Sequence, residues 1–223
     1  MTKTSGKRVG VVLSGCGYLD GSEVHEATLT LLALDRKGAQ VTALAPFVDQ
    51  LDVVDHQTER PSAGDRRSVP VEAARISRGA VKDLAKVSSD DFDALIFPGG
   101  FGAAKNLSSF AAEGKAMKVN PDVARLVTQM RAAGKPMGFI CIAPVIAARV
   151  LGSEHPRLTI GNDPETIATM EALGARHQVC EVDEIAVDQK IKVVSTPAYM
   201  LGPTIAKVAA GIDKLVSAVL EMA

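Results

Sequence analysis

Apolar positions along this chain fall into short runs that alternate with longer amphipathic stretches. Residues 9–13 read Val-Gly-Val-Val-Leu, a compact run that predicts a buried strand. Over residues 23–37, Ala27, Leu31 and Leu34 share one helical face, and Gly38 supplies the stop. Further strands are expected at 41–45, 93–97, 137–140 and 191–195. Helices are expected at 121–133, closed by Gly134, and at 143–151, with Pro144 in the first turn where a missing N–H costs nothing. Another spans 163–173, capped by Asp163 and stopped by Gly174. Beyond Ile205, the residues Val208, Ile212, Leu215, Val216 and Val219 step round one face of a closing helix. This order of strands and helices predicts an α/β fold, an open and mainly parallel sheet sandwiched by helices. Periodicity fails over 52–76, where charged residues, Pro61 and Gly64 crowd together, so an insert or hairpin lobe is expected after the second strand. Residues 1–223 read as a single domain.

Composition narrows the function more than the fold. The chain has 223 residues, 47% hydrophobic and 23% charged, with a formal net charge of -1, the balance of an ordinary globular protein. With no basic excess and only 4% aromatic residues, neither an electrostatic footprint nor a stacking platform for nucleic acid is encoded. No apolar run approaches the length of a membrane span, and the polar start at 1–8 leads into a run too short for a signal-peptide core. Three cysteines without framework spacing fit a reducing compartment, the cytoplasm or a mitochondrial matrix after removal of a transit segment. Four histidines, none in a zinc-type spacing, give no reason to expect a metal. The loop Gly15-Cys16-Gly17-Tyr18-Leu19-Asp20-Gly21 is one residue too long for a dinucleotide fingerprint, and no Walker motif occurs, so no cofactor is expected.

The sharpest chemical feature is Gly138-Phe139-Ile140-Cys141-Ile142-Ala143-Pro144, a buried strand, one thiol and then a helix. Such an elbow sets a side chain at the carboxyl end of a parallel strand, where open α/β sheets form their ligand crevice. The helix N-terminus is expected to favour thiolate over thiol and so to activate Cys141. Pro98-Gly99-Gly100 ends another strand, and the N–H groups of Gly100 and Ile142 are candidates for a pair of oxyanion donors. Glu23 and Glu26 lie one turn apart on the first helix. Glu23 reads as a capping residue and Glu26 as a partly desolvated carboxyl able to give a proton. Cys16 and His56 are candidates for the pocket wall, with His56 returning from the insert. His177 reads as a surface or strand-edge residue.

Together the elbow, the Pro98-Gly99-Gly100 turn and the glutamate-bearing helix resemble the PfpI/ThiJ superfamily, which has a flavodoxin-like, class I glutamine amidotransferase-like fold. Longer strings at 14–17, 20–26, 97–108 and 196–200 resemble the ElbB glyoxalase-like branch. The resemblance implies that Cys141 is the nucleophile, that Glu26 is hydrogen-bonded to it, and that Gly99, Gly100 and Ile142 frame the oxyanion. It puts Asn106 beside the pocket and implies a homodimer. It also implies a cofactor-independent glyoxalase that converts a small aldehyde, a 2-oxoaldehyde such as glyoxal, to a 2-hydroxy acid through a cysteine hemithioacetal. The alternative is a redox-sensing or metabolite-binding regulatory protein that uses the same cysteine with little turnover. This sequence departs from many superfamily members in lacking a histidine directly after the cysteine, where Ile142 stands.

Overall fold

The computed structural model describes residues 6–202 and 204–223; most of the basic start lies outside them. Strand β1 (Arg8–Val12) leads to helix α1 (Val24–Arg36) and strand β2 (Gln40–Ala45). A hairpin of β3 (Val54–Asp55) and β4 (Arg60–Pro61) precedes α2 (Val69–Ser77) and the short β5 (Lys82–Asp83). After β6 (Ala94–Phe97) come α3 (Phe101–Lys105), α4 (Phe110–Glu113), α5 (Pro121–Ala132), β7 (Met137–Ile140) and α6 (Pro144–Leu151). Next, β8 (Arg157–Leu158) and β9 (Arg176–His177) flank α7 (Pro164–Ala172), followed by β10 (Ala186–Asp188), β11 (Val193–Thr196) and α8 (Ile205–Met222).

Seven strands form one sheet in the order β10-β11-β7-β6-β1-β2-β5. Every pairing in it is parallel except the edge pair β10–β11. Both faces are covered, and the period of two along a strand divides its side chains between them. On β6, Leu95 and Phe97 enter one core beside Phe139, Leu126 and Ile146, whereas Ala94 and Ile96 enter the other beside Leu34, Ile212 and Leu215. Phe97 and Phe139, neighbours on β6 and β7, stack at 4.8 Å between ring centroids. The chain runs from β1 outward through β2 to β5, then returns to β6 on the other side of β1. That reversal opens the crevice at the carboxyl ends of β1 and β6, the usual ligand position in such sheets.

The excursion expected at 52–76 is shorter than the pattern suggested. The β3–β4 hairpin lies in it, but 69–77 is the helix α2, the crossover that adds β5 to the sheet edge. Its periodicity was masked because a carboxyl occupies the buried face: Glu72 is 4% exposed and is held by Arg75 at 2.9 Å and Arg67 at 3.4 Å. The edge strands β5 and β10 are two and three residues long, too brief to show an alternation.

Candidate functional site

Three consecutive crevice segments deliver the central groups: α1 after β1, the Gly99-Gly100 turn after β6, and Cys141 after β7. Cys141 has φ +61°, a left-handed conformation that side-chain-bearing residues avoid, costing roughly 1–2 kcal/mol. The fold imposes it by tying the Cys141 N–H to the Thr196 carbonyl at 3.0 Å while Pro144 starts α6. The side chain is thereby turned out of the sheet to the floor of a cavity of about 390 Å³, where Cys141 remains only 7% exposed.

Glu26 is fully buried and its carboxyl lies beside the Cys141 side chain, near enough for the two groups to shift one another's titration. Its Oε2 accepts the Gly99 N–H at 2.9 Å and its Oε1 accepts the Tyr199 N–H at 3.2 Å. Glu23 fills the capping role, its Oε2 accepting the Glu26 N–H at 2.6 Å, and it also reaches the cavity wall. The backbone N–H groups of Gly100 and Ile142 lie beside the Cys141 sulfur and favour its ionised form. An oxygen on a carbon bonded to that sulfur would lie next to both donors, the requirement for an oxyanion site. Gly99 must lack a side chain here, since a Cβ would collide with Cys141 Cβ and lie 2.7 Å from Glu26 Oε2.

The ionised thiol expected from the helix N-terminus is not what this environment favours. Burial, followed by the adjacent Glu26 carboxyl, pushes the Cys141 thiol well above its ordinary value, although the Gly100 and Ile142 amides pull the other way. Burial and then the charge of Glu23 lift Glu26 to about 8. Magnitudes explain the reversal. A helix terminus contributes about 0.3–1 kcal/mol, less than one pKa unit, whereas full burial shifts a group by as much as 3–5 units. Two negative charges cannot share this pocket, so the pair holds both protons at neutral pH and releases the first near 8.

Of the expected pocket residues, Cys141, Gly100 and Ile142 line the cavity, with Gly99 and Glu26 directly behind. Cys16, Asn106 and His56 do not line it. Cys16 lies toward α2, where burial and then the charge of Glu72 raise its thiol. Asn106 is a structural cross-tie: its Nδ2 donates to the Ser14 and Asp20 carbonyls at 2.8 Å each, and its Oδ1 accepts the Leu51 N–H at 2.9 Å. His56 pairs with the Val54 carbonyl and the Leu19 N–H and meets Tyr18 edge-on at 5.4 Å, so it backs a wall residue rather than facing the cavity. His177 is half-buried on the short strand β9. The sequence pattern missed Tyr199, whose hydroxyl pairs with His25 Nδ1 at 2.8 Å. It also missed the apolar wall of Phe101, Ala104, Phe110 and Met200. Among the described residues no three His, Cys, Asp or Glu side chains gather as a metal site.

No family model matches the chain. The human glutamine amidotransferase-like class 1 domain-containing protein 3, mitochondrial, is 49% identical over 224 residues, covering 96% of this chain and 83% of that protein. The crystal structure of an isoprenoid biosynthesis protein with amidotransferase-like domain from Ehrlichia chaffeensis superposes with a TM-score of 0.90 at 33% identity, covering 97% of this chain and 99% of the other. A ThiJ/PfpI domain protein from Brachyspira murdochii shares the fold with a TM-score of 0.60 at 14% identity, covering 98% of this chain and 96% of that one.

Proposed function

The chain belongs to the family of class I glutamine amidotransferase-like domain proteins, and from that premise and the Cys141 geometry we propose that it is a cofactor-independent glyoxalase of the ElbB-like branch. The observation that carries this reading is the meeting of a buried carboxyl and two amide N–H groups at one cavity-facing sulfur. The sulfur adds to the aldehyde carbon of a 2-oxoaldehyde, forming the C–S bond of a hemithioacetal as its proton passes through Glu26 to the new hydroxyl. A proton then leaves the carbon bearing sulfur and arrives on the neighbouring carbon, which converts the adduct to a thioester of a 2-hydroxy acid. Of the polar side chains on the cavity wall, Glu23 and Tyr199 are assigned to carry that proton, since the Tyr18 and Thr166 hydroxyls already donate to Glu59 and Asp163. Water cleaves the C–S bond, releasing the 2-hydroxy acid and restoring the thiol.

The raised thiol implies slow turnover, because only a minority of molecules hold one ionised group at neutral pH. It also weighs against the alternative reading, a peroxide sensor, since oxidants of that kind attack thiolates. The relative named above carries mitochondrial in its name, and no helix among the described residues is long and apolar enough to cross a membrane. A reducing aqueous compartment, cytoplasm or matrix, suits the three free thiols. The test is glyoxal consumption with glycolate formation by wild type, Cys141→Ala and Glu26→Gln. Loss of turnover in Cys141→Ala and a marked fall in Glu26→Gln are expected; equal rates in all three would end the proposal.

A further inference from the structure

We propose that the cavity over Cys141 selects 2-oxoaldehydes that carry an apolar tail, aryl or medium-length alkyl, over glyoxal itself; this rests on the glyoxalase reading and names its substrate class. Size is the first ground. At about 390 Å³ the cavity falls in the range of sites for drug-sized ligands, and glyoxal, with two carbons and two oxygens, would fill only a minor part of it. The remainder would stay as water against carbon.

The character of the wall is the second ground. Phe101, Ala104, Phe110, Ala111, Ile142 and Met200 supply carbon surface, and among the described residues no Lys, Arg or His lines the cavity. The polar side chains that do reach it already have partners. Tyr18 donates to Glu59 at 3.0 Å, Thr166 to Asp163 at 2.6 Å, and the Tyr199 hydroxyl pairs with His25. A tail bearing a carboxylate or phosphate would find no cation among the described lining residues and would face Glu23. Lys105 lies over the ring of the wall residue Phe101 at 5.7 Å but is pinned to Asp52 at 2.8 Å.

Exposure gives the third ground. Phe101, on this wall, is 49% exposed overall, and Ala111 of α4, also on the wall, is exposed. A phenylalanine held at a cavity mouth gains from an apolar ligand laid against it, and neither ring nor methyl contributes anything to a substrate as small and polar as glyoxal. Each methylene that moves from water to this wall is worth about fourfold in kcat/KM.

The experiment compares kcat/KM for glyoxal, methylglyoxal, phenylglyoxal and 2-oxooctanal, following 2-hydroxy acid formation, in wild type and Ala111→Trp. It is paired with mass-spectrometric rates of Cys141 alkylation by iodoacetamide and N-phenyl iodoacetamide. Expected is a rise of at least tenfold from glyoxal to the tailed substrates, a ratio that Ala111→Trp pulls back toward one, and faster alkylation by the phenyl reagent relative to its rate on a free thiol. Turnover that is flat or falls with tail size overturns the inference and leaves the glyoxalase reading standing. No turnover of any aldehyde overturns the glyoxalase reading. In that case tail-accelerated alkylation still supports an apolar-tailed ligand at the sulfur, and equal alkylation overturns that as well.

Discussion

Replacing Glu26 by Gln should reverse its effect on stability as pH rises. Folding moves this carboxyl from its ordinary value of 4.5 to about 8. Below pH 4.5 both the folded and unfolded chains hold the proton, and ionisation costs the fold nothing. Between the two values the unfolded chain releases a proton that the folded chain keeps, so stability falls by about 1.4 kcal/mol per pH unit. Above pH 8 the loss levels off at about 5 kcal/mol. Glutamine has no such dependence but carries a fixed cost. Its amide nitrogen only donates, so either the Gly99 or the Tyr199 N–H loses its acceptor, and one orphaned buried donor costs about 1–3 kcal/mol. Glu26→Gln is therefore expected to be less stable than wild type at pH 5 and more stable at pH 8, with the curves crossing between about pH 5 and 7. Urea unfolding followed by far-ultraviolet circular dichroism measures this directly, the chain having no tryptophan to report by fluorescence. A difference between the two proteins that stays constant from pH 5 to 8 would show that Glu26 is not held neutral by burial, and the account of the Cys141 pair would fall with it.

Alkylation of Cys141 by iodoacetamide should accelerate steadily from pH 7 to beyond 9, because its thiol titrates above the ordinary range; a plateau below pH 7 would restore the ionised sulfur that the helix N-terminus suggested. Gly99→Ala should cut turnover by more than tenfold and destabilise the fold by about 1–3 kcal/mol, since the added methyl meets Cys141 and Glu26; wild-type kinetics would refute the crowding. Asn106→Ala should cost about 2–4 kcal/mol in denaturant unfolding through three lost hydrogen bonds, while leaving the pH dependence of Cys141 alkylation in place. Phe139→Ala, which empties one side of the stacked pair in the central sheet, should cost about 3–5 kcal/mol by the same measurement.

The central strands and long helices were legible because each is a local pattern. Residues 137–140 are apolar on both faces, and the helices from Asn120 and Asp163 begin at side chains that cap them, Asn120 accepting from the Asp122 and Val123 N–H groups and Asp163 from that of Thr166. Cys141 and the Gly99-Gly100 turn were legible for a related reason, since strand end, glycines and proline announce a bend. What failed was environment. Whether Cys141 is ionised depends on Glu26, which is remote in sequence, and on how much water the packed walls exclude. Neither is written beside the cysteine. Tyr199 was equally silent, because it acts on Glu26 through its backbone N–H, which any residue but proline carries. Asn106 and His56 share polar character with pocket residues, and only the fold shows that their hydrogen bonds are already taken up by neighbouring loops.

A sulfur kept uncharged under a carbon roof should be durable. Hydrogen peroxide meets it as a poor nucleophile, so stray oxidation to acids that the cell cannot reverse should be slow, and an old molecule should be as competent as a new one.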